Sequence, residues 1–431
     1  MASNPDATSD ARSWWRRYLD FPLIWKFAIA LVAGAVVGLI VGPSIAVIQP
    51  LGDLFLRLLQ MLVMPMVIVT LVAGASTAAP SRLGRVGGKI FIYYLLTSLL
   101  AICIGILLGL AVSPGTGLDM PGEGEEPEEA PSISETLLNI VPENPFAALT
   151  EGNVLAVIFV AVVVGMALGT MLHSENERMR ELGESVRRLV DAGVEIMFKL
   201  IRGVLEYGPI GVFALIAVVL GETGAEALVP LAKLIGVVYG GIGVQILFYC
   251  ALLLIIGVSL RRFFTAARLP MVTAYVTRSS SGTLPVTIRG AQRLGIDEGV
   301  YGFSLPLGAT INMDGTALYV GAATIFVANV SGVSLSLGEL VGVVLVGTLA
   351  SIGAAGVPGA GLIMLSLAIS QAGLPFAAVA LVAGIDAILD MARTMCNVTG
   401  DLVGARLVAQ TERGMLHEPD DQQQEAEHAS T

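Results

Sequence analysis

Residues 384–405 read GIDAILDMARTMCNVTGDLVGA, directly after the apolar run 375–383. Asp386, Asp390, Arg393, Thr394, Asn397 and Asp401 occupy this stretch. At about 100° per residue they fall within roughly a quarter to a third of a helix circumference, which makes one polar stripe. A charged side chain at mid-bilayer costs about 2.5–3.5 kcal/mol on the insertion scale, so three Asp and one Arg facing lipid would cost on the order of 10–14 kcal/mol. The stripe must therefore face protein or an aqueous path. A buried ion-pair network would satisfy that requirement, as would a route for a ligand and ions.

The surrounding chain has the composition of a polytopic membrane protein: 431 residues, 55% apolar, 14% charged, mean hydropathy +0.80. Its 50 glycines point to close helix contacts and unwound helix segments. Cys103, Cys250 and Cys396 have no metal-like spacing and read as core thiols. The net charge of −11 comes largely from the loop 119–135 and the tail after Glu412, an acidity that argues against a nucleic-acid partner. No cleavage-site pattern marks a removable signal peptide.

Outward from the stripe, two segments are hydrophobic yet interrupted. RLPMVTAYVTRSSSGTLPVTIRGAQRLG (268–295) breaks at a Ser-rich tip, and VGTLASIGAAGVPGAGLIMLSLAI (346–369) breaks at a Gly/Pro tip. Each precedes a span that polar residues interrupt, ATINMDGTALY (309–319) in the first case and the stripe in the second. Pro285 to Asp314 and Pro358 to Asp390 are each about 30 residues apart, and matched interrupted segments in two halves point to a transporter binding site. The expected fold is all-α and polytopic, with eight transmembrane helices plus two re-entrant helical hairpins in inverted repeats.

In chain order, 1–26 is a cytoplasmic segment whose Trp14, Trp15, Arg16, Arg17 and Lys26 mark an aromatic and basic membrane flank. Six transmembrane helices fill 27–260, with Pro65 a kink site in the second and a mobile acidic external loop at about 115–135. In the third, Tyr94, Thr97 and Ser98 put three hydroxyls on one face. SENERMRELGESVRRLVDAG (174–193) reads as a cytoplasmic connection, and Asp191, Glu195, Lys199, Arg202 and Glu206 read as i,i+4 ion pairs where the fifth span begins. Hairpin 1 spans 270–298, the seventh helix 299–328, hairpin 2 336–372, the eighth helix 375–411 and an acidic cytoplasmic tail 412–431.

Non-helical backbone within a membrane frees N–H groups for a carboxylate and C=O groups for a cation. Every candidate cation ligand here is an oxygen, which suits Na⁺. Arg393 presents a planar fork to one carboxylate, and Asp390 can balance an ammonium. An amine plus two carboxylates describes an acidic amino acid. An intramembrane aspartyl protease using Asp314 and Asp390 would leave the hairpins and Arg393 idle, and a passive anion channel would not need so many carboxylates. The NVT sequon at Asn397 lies inside a span, where glycosylation does not reach.

RSSSGTLPVTIRG, LPLGATINMDGTALY, GAAGVPGAGLIML and the stripe itself, with YYLLTS and NPFAALTEGNVL, resemble the signature stretches of the glutamate/aspartate transporter family, the dicarboxylate/amino acid:cation symporters. The likeness is strongest to its prokaryotic sodium-coupled aspartate branch. It implies a homotrimer in the cell membrane with both termini cytoplasmic, the early spans serving as scaffold and the hairpin half moving as a unit. It implies substrate contacts at Ser280, Ser281, Thr316, Val357, Gly361, Asp390, Arg393, Thr394 and Asn397. Within that set Asp390 would take the amino group, Arg393 the side-chain carboxylate and Asn397 the main-chain carboxylate. Three Na⁺ clusters follow from the same resemblance: Gly308, Asn312 and Asn397 with Asp401; Thr310, Ser351, Ile352 and Ala354; and Asn312 and Asp314 with Tyr94, Thr97 and Ser98. Departures are Ala354 for Thr and Ala392 for Gly, which would change affinity and narrow the site. Val320 stands where potassium-coupled animal members have Glu, against potassium countertransport. Proton coupling and a C4-dicarboxylate substrate are the rival readings within this class.

Overall fold

Apolar runs bounded by Gly, Pro and Asn become helices throughout. The computed structural model describes residues 21–77, 80–118, 138, 140–151, 153–351, 356, 359–412 and 414–417. The acidic loop, the Trp14–Arg17 flank, the tail beyond His417, and Ile352, Ala354 and Val357 lie outside the described residues. In order the helices are α1 (Leu23–Val41), α2 (Gln49–Thr77), α3 (Pro80–Val112), the short α4 (Pro145–Thr150), α5 (Val154–Leu172), α6 (Glu177–Thr223), α7 (Leu228–Ile255), α8 (Leu260–Thr277), α9 (Ser280–Arg293), α10 (Glu298–Ile311), α11 (Asp314–Val330), α12 (Leu337–Ser351), α13 (Ala360–Gln371) and α14 (Val379–Thr411). Among the described residues no strand forms; a single antiparallel bridge joins Ile296 to Leu416. Six helical stretches are long and apolar enough to cross a membrane. The continuous α14 is not among them, because its apolar half already carries three charged residues, Asp386, Asp390 and Arg393.

Two groups of helices form. The first packs α2 against α5 and α6, with α1 on α6; the second gathers α3, α7, α8, α9, α10 and α11 around α14. Close approach is made possible by missing side chains. A Cβ on Gly105 of α3 would lie 2.9 Å from the Leu318 carbonyl carbon of α11, and one on Gly321 of α11 would lie 2.6 Å from the Ile102 oxygen of α3. The two backbones therefore touch reciprocally, as small residues permit in membrane bundles. Within α14 most side chains with a determined environment are buried, Asp386, Asp390, Arg393 and Asp401 included, whereas Arg406 is half-buried.

Several expected boundaries move. α3 starts ten residues before Ile90, so Arg85 and Lys89 are helical, and α8 begins at Leu260, where the sixth span was expected to end. α6 runs unbroken through the segment read as a connection. Asn176 caps it by accepting from Met179 N at 3.3 Å, and no proline intervenes before Pro209, so the helix carries on through Gly183, Gly193, Gly203 and Gly208. Asp191 of the expected set pairs with Arg187, which lies outside that set, at 2.9 Å, and Glu206 reaches to Lys26 of α1 at 2.5 Å. Pro65 is accommodated within continuous α2.

Candidate functional site

The site begins where two helices stop. α10 ends at Ile311 and α11 starts at Asp314, leaving Asn312 (φ −93°, ψ 85°) and Met313 (φ −113°, ψ 48°) non-helical between them. The first N–H groups of a helix have no partner within it. Here Gly315 N is satisfied by Asn397 Oδ1 at 2.8 Å, so the stripe on α14 caps the break between α10 and α11. Asn397 Nδ2 also donates to Thr316 Oγ1 at 3.4 Å.

Arg393 is the largest fully buried side chain. Its Nη1 donates to Asp386 Oδ1 at 2.8 Å and its Nη2 to Asp390 Oδ1 at 2.9 Å, and the Tyr319 ring lies 4.0 Å from the guanidinium carbon. A guanidinium over an aromatic face is held electrostatically. Thr394 Oγ1 lies 3.5 Å from Asp390 Oδ1. Three buried atoms in this cluster have no protein partner: Asp390 Oδ2, an acceptor, Arg393 Nε, a donor, and the Tyr319 hydroxyl, which can be either.

The two broken segments meet above this cluster. In the first, Arg278 caps α8 in the left-handed region (φ 54°), Ser279 caps α9 by accepting from Gly282 N at 3.0 Å, and Ser280 is buried while Ser281 is exposed. The Gly356 carbonyl of the second tip accepts from Ser279 Oγ at 2.8 Å and from Ser281 N at 3.3 Å. Gly361, at the start of α13, lies against the Arg393 guanidinium. Of the expected substrate contacts, Thr316, Asp390, Arg393, Thr394, Asn397 and Gly361 thus share one buried region, and Ser280 and Ser281 border it at the clasped tips.

Below it, Asn312 Nδ2 donates to Asp401 Oδ1 at 2.9 Å and lies 3.4 Å from the Asn397 carbonyl. A Cβ on Gly308 would meet Tyr94 Oη at 2.6 Å and Asp401 Cγ at 2.8 Å, which places that backbone beside the same carboxylate. Farther along, Ser98 Oγ donates to Asp314 Oδ1 at 2.7 Å and Thr97 Oγ1 lies 3.5 Å from Asn312 Oδ1. Tyr94 donates to the Ser304 carbonyl at 2.9 Å. The first and third expected oxygen clusters are therefore assembled, from carboxylates, amide oxygens, hydroxyls and carbonyls. This donor set suits a hard alkali cation, and among the described residues no group of three His, Cys, Asp or Glu could hold a metal ion. The second cluster is not seen whole: Thr310 and Ser351 hydrogen-bond the preceding turns of their own helices, to Leu307 O at 2.9 Å and Thr348 O at 2.6 Å, and no hydrogen bond among the described residues joins them.

Three participants were not assigned a role from sequence. Tyr319 reads as an ordinary core aromatic within an apolar run, and nothing in its spacing marks its ring as the cover of Arg393. Gln245 and Tyr249 of α7 both reach Asp314 Oδ2, the amide Nε2 at 3.4 Å. A lone Gln in the centre of an apolar span, four residues before a Tyr, was the available signal.

With this geometry in place, the comparisons with known proteins name its class. The model of the sodium:dicarboxylate symporter family matches residues 23–411. The proton/sodium-glutamate symport protein of Geobacillus stearothermophilus is 34% identical over 409 residues, covering 90% of this chain and 94% of that protein. The proton/glutamate-aspartate symporter of Escherichia coli K12 is 33% identical, covering 91% and 94% respectively. The C4-dicarboxylate transport protein of Sphingopyxis alaskensis is 32% identical, covering 94% and 91%. The chain belongs to the sodium:dicarboxylate symporter family, and is thus one of a family of membrane transporters rather than an enzyme.

Proposed function

We propose that this protein is a sodium-coupled secondary active symporter of acidic amino acids, with L-aspartate the first candidate and L-glutamate the second, working by alternating access. The observation that carries the choice of substrate is that Asp390 Oδ2 and Arg393 Nε are both buried without a partner. A free carboxylate oxygen is matched by an ammonium and a free guanidinium N–H by a carboxylate, so a ligand bearing both satisfies the two atoms. A C4-dicarboxylate would leave Asp390 Oδ2 without a donor. That rival, like proton coupling, draws support from the names of the relatives that resemble this chain.

Charge balance supports cation coupling. Asp314, Asp386, Asp390 and Asp401 are buried against one buried guanidinium, Arg393, a net of −3 with the carboxylates ionised. An acidic amino acid would make this more negative, and buried charge persists only when paired. Cations and substrate therefore raise each other's affinity, a reciprocal coupling free energy. Asp401 with Asn312, Gly308 and the Asn397 carbonyl would hold one Na⁺, and Asp314 with Asn312, Thr97, Ser98 and Tyr94 another. Thr310 and Ser351 with Ile352 and Ala354 would hold a third. Backbone around Val357 and Ser280 would close over the substrate.

The helix pairs α8–α9 and α12–α13 would be re-entrant hairpins, giving eight spans with both termini cytoplasmic in a homotrimer in the cell membrane. The α1, α2, α5 and α6 group would be the fixed scaffold. The test is uptake of labelled L-aspartate into proteoliposomes under an inward Na⁺ gradient, with K⁺ and a proton gradient in parallel. Sodium-dependent uptake is expected; equal uptake driven by protons alone would overturn the cation assignment.

A further inference from the structure

Gln245 lies at the centre of α7, with no exposed surface. Its amide Nε2 donates to Asp314 Oδ2 at 3.4 Å, and one turn later Tyr249 donates to the same oxygen. Ser98 of α3 holds the other carboxylate oxygen at 2.7 Å. The Asp314 carboxylate is thus gripped from two helices, by three donors. The amide orientation follows from this contact, because turning Oε1 toward Asp314 would set two acceptors against each other.

Gln245 Oε1 is then a fully buried acceptor with no donor. It lies one amide width from a carboxylate already supplied with hydrogen bonds, and no Lys or Arg is within the hydrogen-bonding set of that carboxylate. A buried carbonyl oxygen without a donor is matched by a cation as well as by an N–H. The neighbourhood also has little room for a rearranged backbone. A Cβ on Gly400 of α14 would lie 2.6 Å from Tyr249 Oη and 2.9 Å from Asn312 Nδ2, so α7, α11 and α14 meet there with only a hydrogen between them.

We propose that Gln245 is a specificity-determining ligand of the cation held by Asp314, its Oε1 adding a neutral oxygen from α7 to those of Asp314, Asn312, Thr97 and Ser98. The assignment rests on the sodium-coupled reading above. It gives α7, which contributes no expected ligand, a direct share in cation binding. A neutral amide oxygen also raises the coordination number without adding charge, which favours a monovalent ion over a divalent one.

The experiment compares the purified full-length protein with Gln245→Leu and Gln245→Glu. Each is heated in NaCl, with choline chloride holding ionic strength constant and no amino acid present. The readout is the Na⁺ concentration at which thermal stabilisation is half developed. A ligand role predicts that Gln245→Leu raises this midpoint at least tenfold. It also predicts that Gln245→Glu, which keeps an oxygen in place, stays within about threefold of the unaltered protein. A purely structural role, in which only the Nε2 donor matters, predicts the opposite order, because Glu removes the donor and sets a second carboxylate against Asp314. That order, or an unchanged midpoint in both variants, overturns the proposal. Should Gln245→Leu not fold, the Gln245→Glu midpoint decides alone by the same threefold limit. Absence of any Na⁺ stabilisation in the unaltered protein would overturn the sodium-coupled reading itself, and the ligand assignment with it.

Discussion

Placing a methyl group at Gly361 tests whether Arg393 must keep its position. A Cβ there would lie 2.6 Å from Nη1, 2.6 Å from Nη2 and 2.7 Å from Cζ of Arg393, well inside ordinary van der Waals contact. A guanidinium at the end of a flexible stem would normally move aside. This one is fully buried, held by Asp386 at 2.8 Å and Asp390 at 2.9 Å, and covered by Tyr319 at 4.0 Å. Relief of nearly an ångström of overlap therefore requires giving up at least one hydrogen bond to a charged partner, about 1.5–3 kcal/mol. Substrate affinity in Gly361→Ala should fall roughly 10- to 150-fold on that scale. Equilibrium binding of labelled L-aspartate to purified protein at saturating Na⁺ reads this directly. The Na⁺ midpoint for thermal stabilisation without substrate should stay the same at the proposed sites around Asp401 and Asp314, neither of which includes Gly361. Binding within about threefold of the unaltered protein would refute the idea that Arg393 is pinned.

Arg393→Cys should abolish Na⁺-dependent uptake of acidic amino acids while leaving Na⁺ stabilisation in place, checked by uptake and melting on the same preparation. Asp401→Asn keeps a group able to face Asn312 but removes the charge, and should raise the Na⁺ midpoint at least tenfold, about 1.4 kcal/mol. Ser279→Ala removes both the 2.8 Å bond to Gly356 O and the cap on α9. A cap is worth about 1 kcal/mol, so substrate should leave about fivefold faster in a filter-binding chase. At the turn before α10, the hydrogen bond from His417 and then that from Gly299 N hold the Asp297 carboxyl below its usual range. A carboxylate depressed in the folded state contributes stability above its unfolded value, near pH 4, and loses it as pH falls through the folded value. Protection of the Asp297 and His417 amides, which bond Met415 O and Gly295 O, measured as exchange relative to the intrinsic rate at each pH, should therefore fall below pH 4.

Much of the helical order was legible because its causes are local. Polar tips at Ser279 and near Gly356, the break at Asn312 and the α14 stripe are each a breach of apolar periodicity that the sequence displays openly. What could not be read depends on which helix faces which. That Glu206 pairs with Lys26, 180 residues away, is set by the packing of α1 on α6. Tyr319 is chemically an apolar-run aromatic until α11 is laid against Arg393. Asp386 was visible as a member of the stripe, but its bond to Nη1 depends on the Arg393 rotamer, which no residue pattern specifies. The long α6 was hidden for the opposite reason: mixed charges suggested a loop, yet at i,i+4 spacing they equally support a solvated helix.

The unbroken α6 has a mechanical consequence. At 1.5 Å per residue its 47 residues measure roughly 70 Å, more than twice a hydrocarbon core of about 30 Å. Its buried, apolar stretch from Val212 to Gly221 lies near one end, and the charged half from Arg178 to Arg202 occupies the other. More than half of this beam must therefore run outside the lipid or lie along its surface. It ties the packing against α1 and α2 to a charged arm through one continuous helix, with Pro209 between the two parts. Proline removes a ladder hydrogen bond, so movement of the neighbouring bundle should register at the far end as a swing about Pro209.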